Sequence, residues 1–123
     1  MNALPKSMLV EPSWIDAGYF LDTFGSDDTA CAELVTLFLK VSEQQMTAMD
    51  AALHASDWQR VSREAHALKG SLGLFGARDT VGLLEELENA CESHEVDAVL
   101  ATVEELGRRM KSIVVEVGAL MPA

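Results

Sequence analysis

Residues Trp58–Gly76 read W-Q-R-V-S-R-E-A-H-A-L-K-G-S-L-G-L-F-G, and their spacing decides the fold. Trp58, Val61, Ala65, Leu68, Leu72 and Phe75 recur at steps of three and four, the pattern of a helix that buries one stripe. At about 100° per residue, His66 points roughly 130° away from the middle of that stripe. It therefore reads as a surface histidine. Gln59, Ser62, Arg63, Lys69, Gly70 and Gly73 share its side of the helix. Two glycines inside a helix cost about 1 kcal/mol each relative to alanine. What they provide is bare backbone beside His66, where a bulky partner can come close.

Working outward, every other segment also reads as helix. Ser13 is the expected N-cap of a first, short helix, with Ile15, Gly18, Leu21 and Phe24 at helical spacing. A second helix is expected over 28–54, burying Cys31, Leu34, Val35, Phe38, Val41, Met46, Met49 and Leu53. Its Leu37-Phe38-Leu39 run is apolar beyond one stripe, as if facing two neighbours. Ser56-Asp57 caps the central helix, and Gly76 ends it in the left-handed position. A fourth helix over 78–92 buries Val81, Leu84, Leu87 and Cys91 and turns Glu85, Glu86 and Glu88 to solvent. A fifth, over 95–117, carries Val96, Val99, Leu100, Val103, Leu106, Met110, Ile113 and Val117 on one stripe. No segment alternates with period two. The expected fold is all-α: an antiparallel four-helix bundle with a short additional N-terminal helix. Residues 1–12 read as a loosely ordered leader, and 13–121 as a single domain.

Composition narrows the partners. The chain has 123 residues and a net charge of −11, which argues against nucleic acid and against an anionic membrane surface. No window supplies the roughly 20 apolar residues of a membrane span, and the N-terminus lacks the apolar core of a signal peptide. Cys31 and Cys91 are far apart and read as reduced, buried thiols. The expectation is a cytoplasmic, free-standing monomer. Charge is unevenly spread: residues 57–78 carry a net +2 against −13 for the remainder. A small positive field around His66 would suit an anion.

A neutral imidazole offers one unprotonated ring nitrogen, a nucleophile for phosphorus or an acyl carbon. A residue that only stores a group needs access, a cation for the incoming anion, and a partner that supplies the rest. Lys69, at i+3, is placed to be that cation. Ser62 and Gln59 can hydrogen-bond on the same side.

The run A65-H66-A67-L68-K69-G70-S71, with Gly76 ten positions after the histidine, resembles the signature of histidine-containing phosphotransfer (HPt) domains. Helix order and lengths over 13–118 suit that family's bundle as well. The resemblance implies that His66 is the phospho-acceptor and that Lys69 steadies the phosphoryl oxygens. Gly70 would open the face beside the ring, and Gly76 would end the helix. Leu72 departs from the family, many of whose members have a small residue there; its place on the core stripe points to packing. The implied partners are receiver domains of response regulators and hybrid histidine kinases. The implied cofactor is none of the chain's own, the Mg²⁺ of transfer sitting in the receiver. The implied function is a relay between receiver aspartates through phosphohistidine. No Gly-rich nucleotide loop is present, so no autokinase activity is expected.

The alternative is a docking module that binds a receiver or kinase domain without being phosphorylated, and loss of the histidine or lysine would be its sign. A metal or haem site needs Glu-x-x-His pairs on facing helices; neither His54 nor His94 gives that spacing, so no metal site is expected. A hydrolase built on His66 would lack a nucleophile.

Overall fold

The computed structural model describes residues 13–123, so the expected leader over 1–12 lies outside the described residues. The chain forms α1 (Ala17–Phe24), α2 (Asp28–His54), α3 (Trp58–Leu74), α4 (Arg78–Glu92) and α5 (Val96–Gly118), with no strand among the described residues. The four long helices contact one another in a closed ring, α2 on α3, α3 on α4, α4 on α5 and α5 back on α2, while α1 leans on α2. None of these helices is long and apolar enough to cross a membrane.

The three long-helix corners are three residues each and share one geometry. At 75–77, Gly76 N donates to Gly73 O and Ala77 N to Leu72 O, both at 3.1 Å, with Gly76 at φ +65. At the other two corners Ser56 (φ 54) and His94 (φ 56) take the left-handed position, with the same pair of bonds behind them. This is the Schellman ending, which satisfies carbonyls that a helix otherwise leaves bare. Asp57 serves both sides of its corner. Its N–H closes α2 onto Ala52 O, and its carboxylate caps α3 by accepting from Arg60 N at 3.1 Å. Gly76 is the corner that tolerates no side chain. A Cβ there would lie 2.7 Å from the Cβ of Asp16, on top of the left-handed penalty of about 1–2 kcal/mol.

Asp16 is close because α1 docks on this corner: its N–H donates to Phe75 O at 2.9 Å. Ser13 does not cap α1, contrary to expectation. Asp16 does, accepting from Tyr19 N at 3.0 Å. The hydroxyl of Ser13 instead donates to Glu116 on α5, whose carboxylate also accepts from Trp14 N and Ile15 N. Arg109 lies over the Trp14 ring at 4.8 Å. The later helix start turns Phe20, not Leu21, into the core.

The core holds Val35, Phe38, Met49, Val61, Ala65, Leu68, Leu72, Phe75, Leu84, Leu87, Leu106 and Ile113 among others, so the Leu72 departure from the motif is a packing residue. Cys31 and Cys91 are buried free thiols. Three expectations fail at the margins. Leu37 is exposed rather than shared between two neighbours, and Val96 and Leu100 at the start of α5 are exposed too.

Candidate functional site

The stripe of Val61, Ala65, Leu68 and Leu72 is fully buried, and this fixes the roll of α3 about its axis. His66 is thereby turned outward, with its side chain 72% exposed. What lies beside it is set by α4. His66 Nδ1 is 3.0 Å from Glu88 Oε2, and Lys69 Nζ donates to Glu88 Oε1 at 2.7 Å. Glu85 Oε2 is a second, looser partner of Lys69 at 3.8 Å. One carboxylate thus bridges the histidine and the lysine.

This contact corrects the reading of Glu88 as one of three solvated acids. Its side chain is only 22% exposed, while Glu85 and Glu86 remain open to solvent. Helix period places Glu88 one step round from the buried Leu84 and Leu87, at the edge of α4 that meets α3. Burial pushes the Glu88 carboxyl up, but hydrogen bonds from Lys69 and His66, reinforced by their charges, bring it below the usual carboxylate range. The Lys69 ammonium moves the other way. Its bond to Glu88 raises it against the cost of burial, and the charges of Glu88 and Glu85 add to the rise.

A carboxylate is an acceptor only, so in the neutral ring the proton sits on Nδ1 and the lone pair on Nε2. Nε2 has no hydrogen-bond partner among the described residues. The arrangement leaves a ring nitrogen with a free lone pair on a side chain open to solvent.

The expected positive field is correspondingly altered. Lys69 is shared by two carboxylates, and Arg60 lies 3.8 Å from Glu64. Arg63 is exposed and takes part in no ion pair or hydrogen bond among the described residues. Gly70 and Gly73 are exposed, and a Cβ added at either meets nothing within 4 Å. Neither Gln59 nor Ser62 hydrogen-bonds the imidazole among the described residues. With Trp58, Cys91, Glu92 and His94 they line an open cleft of about 410 Å³ further down the α3–α4 groove. Gly76 lies at the far corner, shaping the fold and not the site.

Glu88 supplies a test of the bridge. Its folded-state pKa is depressed, so its stabilising effect is present above the unfolded-state value and lost as pH falls through the folded one. Glu88→Gln is expected to melt a few degrees below the wild type at neutral pH, with the gap closing in acid. Melting curves of both proteins between about pH 7 and pH 3 check this. A gap that stays constant with pH would mean the bridge contributes no charge-dependent stability.

Comparison with known proteins bears on the fold and the family. No curated protein matches the chain. Among solved structures, the crystal structure of histidine-containing phosphotransfer protein B from Pseudomonas aeruginosa PAO1 superposes with a TM-score of 0.78. That match has 24% sequence identity and covers 85% of this chain and 91% of that one; identity at this level speaks for the fold. The family model of the Hpt domain matches residues 33–116, a span that holds the corners, the core stripe, His66, Lys69 and Glu88. The chain belongs to the Hpt domain family.

Proposed function

We propose that the protein relays a phosphoryl group between receiver-domain aspartates, from a hybrid histidine kinase to a response regulator, by way of a phosphohistidine at His66. The ring of four long helices is then the family's antiparallel four-helix bundle, with α1 as the short additional helix. The observation that carries the reading is the exposed imidazole whose Nδ1 is engaged by Glu88. In the step itself, the Nε2 lone pair attacks phosphorus and forms an N–P bond. The acyl-phosphate P–O bond breaks, and its electron pair leaves on the receiver's aspartate. No proton moves, because Nδ1 keeps its hydrogen. The ring gains positive charge as the bond forms, and the Glu88 carboxylate stabilises that charge through Nδ1–H. The second transfer runs the same step backwards.

Lys69 serves the phosphoryl oxygens by exchanging one of its carboxylate partners for them, a swap between like-charged acceptors over a short reach. The chain contributes no nucleotide site and acts as a carrier. Mg²⁺ belongs to the acidic site of the receiver in this reading. The protein works as a cytoplasmic monomer that meets one receiver at a time.

The test is transfer from a purified receiver domain carrying labelled aspartyl phosphate, with Mg²⁺ present. Acid-labile, base-stable label on the protein is the expected result. Several receivers at high concentration that never label it would refute the carrier role.

Gly70 gives a second, independent check. Nothing inside the chain forbids a side chain there, so Gly70→Ala is expected to stabilise the fold by about 1 kcal/mol. If the bare backbone exists for a docking partner, the same variant should accept the phosphoryl group about tenfold more slowly, since packed interfaces tolerate added atoms poorly. Chemical denaturation and transfer kinetics measured on one preparation separate the two effects. A more stable variant that transfers at the wild-type rate would show that the partner does not come close at Gly70.

A further inference from the structure

Lys69 is the only cation the motif places beside His66, yet in the folded chain it is already occupied. With Glu88 at 2.7 Å and Glu85 at 3.8 Å, the cluster on the α4 side of the imidazole sums to about one negative charge. A phosphoryl group arriving as an anion meets that charge unless another cation offsets it. The other side of the ring differs. At about 100° per residue, Arg63 lies roughly 60° round α3 from His66, in the direction opposite to Lys69. Gly70 lies on that same side and has no Cβ to obstruct an approach. Arg63 is exposed and unpaired among the described residues. Arg60, one turn further on, is engaged with Glu64. A guanidinium presents a planar fork of donors that matches phosphate and carboxylate oxygens, which an ammonium does not.

We propose that Arg63 is the positioning residue that receives the phosphoryl-bearing acidic face of the donor as it docks on His66, because the motif lysine is held by α4 until transfer begins. The inference rests on the phosphotransfer reading above and adds to it the cation that acts first. A free charge at a rim changes the encounter rate and its salt dependence more than the chemical step. Arg63 therefore acts on the approach, and Lys69 on the transfer.

The experiment is rapid-quench transfer from a receiver domain carrying labelled aspartyl phosphate, over a range of donor concentrations and ionic strengths. The proteins compared are wild type, Arg63→Ala, Arg63→Lys and Arg60→Ala, each first checked for an unchanged melting temperature. Arg63→Ala is expected to lower the second-order rate constant about tenfold at low salt and to flatten its salt dependence. Its rate at saturating donor should fall by less than about twofold. Arg63→Lys should recover part of the loss, and Arg60→Ala should stay within about twofold of wild type. Equal losses in the two alanine variants, or a loss confined to the saturating rate, would overturn the assignment. Wild-type kinetics for Arg63→Ala would overturn this inference and leave the carrier role standing. A wild type that takes no label from any receiver would remove both.

Discussion

His66→Gln is expected to take no phosphoryl group from a receiver aspartyl phosphate, while unfolding within about 2 °C of the wild type. Glutamine keeps the length and polarity of the side chain, and its amide can still donate to Glu88. It lacks a nitrogen lone pair able to attack phosphorus, since the amide nitrogen's pair is delocalised into the carbonyl. The stability should hold because the side chain is 72% exposed, and surface changes away from special features stay within about 0.5 kcal/mol. Label counted after rapid gel separation, with its acid and base stability, reads the first half, and a melting curve reads the second. Label persisting on the variant would move the acceptor elsewhere. The remaining histidines are poor substitutes. Neither has a lysine one turn on: position i+3 is Asp57 after His54 and Asp97 after His94.

Phe75→Ala is expected to remove about 3–5 kcal/mol of stability. Phe75 is 1% exposed and is the point where three helices converge. Its ring stacks on Phe20 of α1 at 4.6 Å and meets the edge of Phe38 of α2 at 5.0 Å, while its carbonyl receives Asp16 N. Each aromatic pair adds about 0.5–1.5 kcal/mol to the area buried, and truncation leaves a cavity that the fixed Gly76 corner cannot collapse to fill. Domains of this size are stable by about 5–15 kcal/mol, so roughly a fifth or more of the total is at stake. Urea unfolding followed by circular dichroism gives the number. A loss under about 1 kcal/mol would mean that α1 and its Phe20 are not seated on the corner.

The two expectations draw on different levels of the chain. The exposure of His66 follows from local spacing: six apolar residues at steps of three and four fix which way a helix rolls, and the histidine's direction comes with them. The bounds of α2 and α4 and the left-handed Gly76 came from the same kind of short-range signal, caps and glycine punctuation. Where a residue's environment depended on a distant neighbour, the local signal misled. Ser13 looked like a cap because it stands before an apolar run, but Glu116 on α5 takes its hydroxyl. Val96 and Leu100 fit a buried stripe by period, and Leu37 stands in a run read as facing two neighbours, yet all three are exposed among the described residues. Ser56 and His94 carry no sequence mark of a left-handed residue. Their conformation comes from two helices that must reverse within three residues.

Glu88 is the sharpest case. In sequence it is one of three acids on the polar side of α4, 22 residues from His66 and 19 from Lys69. No spacing rule within one helix connects positions so far apart. A faint signal existed: Glu88 follows Leu87 and precedes the buried Ala90 and Cys91, which puts it at the edge of the stripe and not at its opposite pole. By itself the sequence determined that the chain is helical, where the helices turn, and that a histidine, a lysine and two glycines share an outward face. The register of α4 against α3 decided the rest. It gave the imidazole a carboxylate that sets its tautomer and it engaged the lysine, whereas Arg63, on the other side of the ring, takes part in no ion pair among the described residues. Those outcomes depend on how two helix surfaces interlock, and that is settled by the side chains of both helices together.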